Sequence, residues 1–143
     1  VLTLITIETF YARSIIMILT DLIDLKDEAF SLEGKLTSVT LTDTGGTITA
    51  KGDATLYGTV LLTYNLTANP KVPGQGIMTG IGNGIDDDGE LNTGALNGVW
   101  KRKGHDIKIY CMDDVSDGNL NAAVVSLNLK DDSFRVDWSQ IAV

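Results

Sequence analysis

Residues 54–85, ATLYGTVLLTYNLTANPKVPGQGIMTGIGNGI, decide the fold of this chain. Two runs in which apolar and polar residues alternate, 54–68 and 76–85, flank a loop at 69–75 that holds both prolines. Such alternation has the period of a half-buried β-strand. Glycines inside the second run permit the bends and bulges that a regular strand lacks. The segment therefore predicts two antiparallel strands with a curved backbone.

Similar alternating runs recur on both sides of this segment at nearly constant spacing. Short turns rich in Gly and Asp separate them, and Asp accounts for 15 of the 19 acidic residues. Because Asp forms turns through local hydrogen bonds whereas Glu favours helices, the acidity belongs mostly to connections between strands. Connections of hairpin length join antiparallel strands, since parallel strands need a long crossover. The further runs are 30–41, 47–51, 90–102, 105–113, 119–129 and 133–141.

These runs predict an all-β fold with about eight strands in an antiparallel meander. Glycine kinks allow such a sheet to curl until its first and last strands meet, and closure removes the exposed edges of an open meander. We therefore expect a small closed β-barrel over residues 30–143, with a two-sheet sandwich as the competing architecture. A chain of 143 residues is expected to form a single domain, here residues 1–143.

Residues 1–29 follow a different pattern. Residues 1–7, VLTLITI, predict an extended apolar start, and the apolar spacing over residues 8–25 predicts one N-terminal α-helix. Charged residues interrupt the apolar run before it reaches the length of about 20 residues that a membrane span needs. We therefore expect no membrane span. The interrupting residues are Glu8, Arg13, Asp21 and Asp24.

The net charge argues against one class of partner. The chain carries −8 at pH 7, whereas a nucleic-acid binder needs a basic surface that displaces counterions from phosphates. We therefore expect no nucleic-acid partner. The one cysteine, Cys111, excludes a disulfide scaffold and a cysteine-rich zinc site. It leaves the localisation open, as cytoplasmic or as secreted with the signal already removed.

Two acidic clusters are candidates for calcium binding. Residues 86–90, DDDGE, resemble part of an EF-hand loop, but position twelve of that loop would be Asn97, and the flanking runs are strands rather than helices. A solvated hairpin turn is the favoured interpretation, and the same holds for the second cluster. We assign no metal site, and calcium-dependent surface binding remains an alternative hypothesis. The second cluster comprises Asp113, Asp114 and Asp117.

Residues suited to catalysis are scarce. His105, the only histidine, follows a glycine at the start of a strand, where an exposed turn residue is the usual outcome. Cys111 lies on an apolar alternating face and is expected to be a buried, inert thiol. The sequence carries no nucleophile elbow, zinc-protease motif, dinucleotide fingerprint or P-loop. We assign no catalytic residue and no cofactor, and the sequence leaves open whether the protein is an enzyme.

One face of the run 76–85 has almost no side-chain volume. Larger side chains occupy alternate positions of this run, and Met78 and three glycines occupy the positions between them. Such a face leaves a gap that something must cover, because protein interiors are close-packed. The N-terminal helix, a neighbouring subunit or a ligand can supply that cover.

Two short motifs accompany this pattern, Tyr57-Gly58 and Gly98-Val99-Trp100. With the meander of glycine-kinked strands they resemble the small calycin-like barrels, in particular allene oxide cyclase-like proteins, over residues 30–143. The resemblance is architectural and carries over no catalytic residue. It implies an interior that binds apolar or partly polar small molecules. In some such proteins it also implies a cyclisation that proceeds by shaping a flexible substrate.

The Gly-x-Trp motif also resembles one in lipocalins, where the Trp closes a barrel end under an Arg. There the motif lies near the N-terminal strand, whereas here it lies on the fifth run. What carries over is the expectation that Trp100 closes one end of the barrel and that Arg102 stacks on its ring.

The sequence favours a small-molecule-binding β-barrel for an apolar or partly polar ligand, with a cyclase or isomerase as its catalytic extension. The alternative is a self-assembling structural protein. In that case residues 1–7 add as a strand to a neighbour's sheet, and residues 15–19 pack against an equivalent helix. We expect a homo-oligomer. The residues expected to contact a small hydrophobic ligand are Tyr57, Tyr64, Asn83, Asn97, Trp100, Tyr110 and Trp138.

Overall fold

Apolar and polar residues alternate along the strands, and because the sheet closes on itself they face the inside and the outside of a barrel. The structure is a computed structural model and describes residues 18–142. Each strand pairs with the next along the chain and the last pairs with the first, so the predicted closed antiparallel barrel is confirmed for these residues. The strands are β1 (Leu25–Thr42), β2 (Gly45–Ala54), β3 (Gly58–Asn69), β4 (Val72–Ile85), β5 (Leu91–Lys103), β6 (Asp106–Val115), β7 (Leu120–Asn128) and β8 (Ser133–Ile141).

The barrel closes where β1 pairs with β8. Gly34, in the middle of β1, faces Gly52 on β2 and Phe134 on β8, so this part of β1 is paired on both sides. A Cβ atom at position 34 would clash with the Lys51 carbonyl oxygen and lie 2.5 Å from the Phe134 ring. The closing strand pair therefore requires a glycine at this close approach.

Every second side chain of a strand points inward, and these side chains fill the barrel. On β6, Ile107, Ile109 and Cys111 are buried while Tyr110 between them is half exposed. The same alternation runs along the other strands and builds one continuous apolar core. The largest side chains that are almost completely buried are Tyr64, Ile48, Met78, Ile107, Ile109 and Val125.

Hairpin connections divide between the two ends of the barrel. The turns at 55–57, 86–90 and 116–119 lie at one end, which we call the open end. The remaining four connections lie at the opposite end, which we call the far end. This division follows from an antiparallel meander, in which successive turns alternate between ends.

Trp100 occupies the interior toward the far end. Its indole N–H donates to the carbonyl oxygens of Ile77 at 3.0 Å and Thr67 at 3.3 Å, so its polar atom is satisfied by backbone. Arg102, two residues on, donates to the Gly104 carbonyl oxygen at 3.1 Å and is exposed. Trp100 therefore fills this part of the barrel.

The predicted N-terminal helix is wrong for the part of it that the structure describes. Of residues 18–25, only Leu19–Asp21 is helical, as one 3-10 turn, and β1 begins at Leu25, five residues before the predicted start of the barrel. Leu25 pairs with Ile141, and the Ala142 N–H donates to the Asp24 carbonyl oxygen at 2.8 Å. Sheet pairing thus outweighs a weak local helix propensity.

Residues 8–17 of the predicted helix and the predicted extended start at 1–7 lie outside the described residues. The self-assembly hypothesis rests mostly on these segments, so it stays a prediction. Among residues 18–142, no helix has the length and apolar character to cross a membrane.

Two glycines on the inner face of β5 should respond oppositely to replacement by alanine. At Gly98 a Cβ would clash with the Tyr110 carbonyl oxygen and lie 2.8 Å from the Cys111 Cα, so Gly98→Ala should destabilise the fold by about 1–3 kcal/mol. At Gly94 the nearest atoms are 3.7 Å away, and Gly94→Ala should stabilise by about 0.5–1 kcal/mol. Urea denaturation of both variants measures the difference. Equal effects of the two substitutions would contradict the inward packing of β5.

Candidate functional site: a cavity at the open end of the barrel

The glycine face of β4 lies inside the barrel and creates a cavity. Gly82 and Gly84 on β4 and Gly94 on β5 line it, and its volume is about 80 Å³. That volume is several times the roughly 10–15 Å³ that one enclosed water requires. Within the described residues, the predicted glycine face therefore borders a space inside the barrel.

The wall of the cavity is mostly apolar. Aliphatic side chains from six strands surround it, and three aromatic side chains, Tyr57, Tyr64 and Trp138, complete it. Apolar lining with a few polar groups is the usual composition of a small-molecule site. The aliphatic lining comprises Leu32, Val60, Leu62, Leu96, Val115, Ala123, Val125 and Val136.

Considering residues 18–142 alone, three polar atoms of the lining are buried without a hydrogen-bond partner. They are Oδ1 of Asp113, Oδ1 of Asn121 and the indole nitrogen of Trp138. Asn121 is only 3% exposed and Trp138 7%, while Asp113 is partly buried with its Oδ1 shielded from solvent. A buried unpartnered polar group typically costs about 1–3 kcal/mol, so three in one cavity call for a specific explanation.

The strand register brings these three residues together. Asp113 on β6 and Asn121 on β7 are direct cross-strand partners, which places their Cβ atoms about 4.5–5.5 Å apart on one face. Trp138 lies on β8, two residues from Gln140, the β8 partner of Asn121. The three residues therefore lie on adjacent strands, toward the open end of the barrel.

Tyr57 contacts the Asn121 amide. The Asn121 Nδ2 group donates to the Tyr57 hydroxyl at 3.5 Å, and that hydroxyl donates to Asp117 Oδ2 at 3.1 Å. Asp117 also accepts two bonds from Asn119, at 2.9 Å each. With its nitrogen held by Tyr57, Asn121 keeps its oxygen as the free acceptor.

Aromatic packing supports the same wall. The Trp138 ring stacks on Phe30 with centroids 5.4 Å apart and on Tyr57 with centroids 6.3 Å apart. These distances lie in the range in which offset aromatic pairs attract one another. The indole is therefore held in position by its two neighbours.

The Asp113 carboxyl has no cationic partner in the cavity. The lining contains no Lys, Arg or His among the residues that the structure describes. Burial raises the pKa of Asp113 to about 6, and a hydrogen bond with the Cys111 thiol opposes part of that rise. Burial and the nearby Asp113 raise the pKa of the Cys111 thiol far above its ordinary value. The thiol therefore stays protonated at neutral pH and is not a nucleophile.

The residues predicted to contact a ligand divide between the two faces of the sheet. Tyr57, Tyr64 and Trp138 line the cavity, whereas Trp100 is inside the barrel but does not line it. Asn83 borders the cavity, yet its Oδ1 accepts a hydrogen bond from the exposed Thr93 at 3.2 Å.

Asn97 and Tyr110 lie on the outer face. Their strand neighbours Leu96, Ile109 and Cys111 are buried, and successive side chains of a strand point to opposite faces. Asn97 is exposed and Tyr110 is half exposed, so neither side chain reaches the cavity.

Sequence reasoning missed Asp113 and Asn121 as members of the site. The sequence places Asp113 in an acidic turn cluster, but Asp113 occupies the next inward-facing position of β6 after Ile109 and Cys111. Asn121 has the inward parity of Ala123 and Val125 on β7. The alternation of inward and outward side chains along β6 and β7 therefore predicts both positions, although polar residues are usually expected on the outside.

Both acidic clusters lie at the open end, and the first of them stabilises its own turn. Asp86 Oδ1 accepts from the backbone N–H groups of Asp88 at 3.0 Å and Glu90 at 2.8 Å. Among residues 18–142, no group of three or more His, Cys, Asp or Glu side chains is placed to hold a metal ion. His105 is exposed in the β5–β6 connection at the far end, away from the cavity.

Searches with the whole chain find no matching protein-family model, curated protein or solved structure. Function is therefore argued from the cavity, because a fold alone hosts many unrelated functions.

Replacing Asp113 should change how stability depends on pH. The folded protein retains the Asp113 proton up to about pH 6, whereas the ordinary value is 3.8. Between these values the folded state binds more protons than the unfolded state. Its stability therefore falls as pH rises from 3.8 to about 6, and the cost remains above pH 6. Asp113→Asn should raise the free energy of unfolding on the order of 2–3 kcal/mol at neutral pH and have little effect near pH 4.

The measurement is urea denaturation at both pH values. Asp114→Asn is the matched control, because Asp114 is the exposed neighbour on the same strand. An equal pH response of the two variants would show that Asp113 is not the buried carboxyl.

Proposed function

We propose that this protein binds a small, mostly apolar molecule in the open-end cavity of its barrel. The observation that carries the proposal is the placement of unpartnered polar atoms of Asp113, Asn121 and Trp138 in an otherwise apolar wall. Apolar walls supply most of the binding free energy of such sites, and a few polar groups fix orientation. An apolar ligand that carries both a hydrogen-bond donor and an acceptor matches this arrangement.

The size of the cavity limits what it encloses. A volume of about 80 Å³ accommodates a small polar group and a short apolar segment, and a longer molecule would extend through the open end. Ordered waters can also partner buried polar atoms, so displacement of water by the ligand is part of the binding equilibrium.

A cyclase or isomerase activity is the catalytic extension of this proposal. It draws on the architectural resemblance to calycin-like and allene oxide cyclase-like barrels, and on an apolar cavity that restricts the conformations of a flexible substrate. The cavity presents one carboxyl group, that of Asp113, and a protonated thiol. Substrate shaping is therefore better supported than nucleophilic catalysis.

Native mass spectrometry of the purified full chain tests the binding proposal. We expect a small molecule that remains with the folded protein and is absent after denaturation. Gly94→Val should reduce its occupancy, because the new side chain extends into the cavity from a position where a Cβ meets its nearest atoms at an ordinary contact distance of 3.7 Å. Thr40→Val, an exposed β-branched replacement on β1, is the matched control. A bare mass together with crystallographic density for water alone would contradict the proposal.

We further propose that the protein assembles with copies of itself through the outer face of β4–β7. Ile77, Val99, Tyr110 and Val124 are successive cross-strand neighbours on that face. The first three are 59%, 53% and 50% exposed. Monomeric soluble proteins rarely expose a contiguous apolar patch of this kind without using it. For a chain of net charge −8, an apolar row is also where two copies meet with the least repulsion.

A single charge in this row should dissociate the assembly. Val99→Arg places a cation at its centre, and burying an unpaired charge in an interface costs several kcal/mol. Size-exclusion chromatography with light scattering should show an oligomer for the natural sequence and a monomer for Val99→Arg. Thr40→Arg, an exposed position on β1 across the barrel, should leave the mass unchanged. A monomeric natural chain would contradict the proposal.

A further inference from the structure

Two oxygen atoms that have no hydrogen-bond partner within residues 18–142 belong to neighbouring residues of the cavity wall. Asp113 Oδ1 and Asn121 Oδ1 belong to direct cross-strand partners, and the Tyr57 contact commits the Asn121 nitrogen elsewhere. Above its pKa the carboxylate is an acceptor only, and an amide oxygen always is. A group that satisfies both must therefore bring at least two hydrogen-bond donors.

The electrostatic field at this position favours a cation. The cavity lining contributes a carboxyl group and, within the described residues, no positively charged side chain. The Tyr57 hydroxyl is itself bonded to a second carboxylate, Asp117. The whole chain carries −8, which raises the local concentration of cationic ligands near an opening of this sign.

Aromatic rings line the same cavity as the carboxyl group. Tyr57, Tyr64 and Trp138 line the same cavity, and Trp138 is fixed by its stacking partners. A ring face within about 6 Å of an organic cation attracts it through the ring quadrupole. A carboxylate with neighbouring aromatic rings thus suits an organic ammonium group better than a hydrated metal ion.

We propose that the ligand of this cavity is a small primary amine with an apolar body. This inference rests on the proposed binding function and specifies its ligand class. The ammonium group donates to Asp113 and to Asn121, and the apolar body lies against the aliphatic wall. The Trp138 indole N–H is a donor, so it takes no part in holding the ammonium. A hydroxyl or ether oxygen on the body of the amine is the acceptor that would satisfy it.

The ionisable groups around Asp113 set the expected pH dependence. Cys111 faces it from β6, Tyr64 from β3 and Tyr57 from the β2–β3 turn, and Asp117 holds the Tyr57 hydroxyl. Burial raises the pKa of both tyrosines and nearby carboxyl groups add to the rise, so they stay neutral below pH 10. Asp113 is therefore the group in the cavity that titrates near pH 6. Amine binding should weaken about tenfold for each pH unit below that value.

Three probes of similar shape show whether the cavity prefers an ammonium, a hydroxyl or a carboxylate group on its ligand. Butylamine, 1-butanol and butanoate are titrated into the isotope-labelled full chain, and chemical-shift changes of the cavity residues give the dissociation constants. We expect butylamine to bind at least about tenfold more tightly than 1-butanol, because a hydrogen bond to a charged group contributes about 1.5–3 kcal/mol. Butanoate should not bind, since it would meet Asp113 with like charge.

Two variants test whether Asp113 causes the preference for butylamine over 1-butanol. Asp113→Asn should weaken butylamine binding at least about tenfold and abolish its pH dependence, whereas the exposed neighbour variant Asp114→Asn should preserve both. Far-UV circular dichroism shows that each variant retains its sheet. If 1-butanol binds as tightly as butylamine, the amine proposal is overturned and the binding function stands. If no probe binds and the native mass is bare, both are overturned.

Discussion

The rest of this structure depends on the closure of the sheet at the β1–β8 pair. Gly34 sits between Gly52 and Phe134 with no room for a Cβ atom, so the strands on either side approach closely enough to complete the ladder. Closure leaves no sheet edge among the described strands, and it turns the two-residue period of every strand into an interior and an exterior. Every assignment of a side chain to core, cavity or outer surface follows from that one geometric condition.

Closure alone would give a solid core, and glycines on the inner face of β4 and β5 prevent this at the open end. A glycine in a strand costs about 0.5–1 kcal/mol relative to alanine, and the cavity also forfeits packing contacts. The partly buried Asp113 adds a further cost, because burial raises its pKa without a cation to offset it. Proteins tolerate such local losses where a ligand recovers them, which is why the coincidence of empty volume and unpartnered polar atoms is informative.

Much of the fold could be predicted from the sequence, because strand alternation and turn chemistry are local. The number and order of strands, their closure and the glycine face around Met78 all followed from that pattern. The helix was wrong over residues 18–25, because pairing of Leu25 with Ile141 is a long-range event that residue spacing does not record. Tyr110 was chosen as a ligand contact for its ring, although the parity of Ile109 and Cys111 places it outside. Asp113 is predicted to belong to a solvated acidic cluster, although the same alternation along β6 places its side chain inside the barrel.

The two ends of the barrel differ in how the interior side chains satisfy their polar atoms. Toward the far end, Trp100 spans the interior and gives its indole N–H to backbone carbonyls, so a large side chain replaces empty space and no polar atom is left over. Toward the open end, the Trp138 indole N–H has no partner in the described part of the chain, and glycines of β4 and β5 line the cavity. The same indole group thus has two environments among residues 18–142: backbone acceptors satisfy it toward the far end, and no acceptor partners it in the cavity wall.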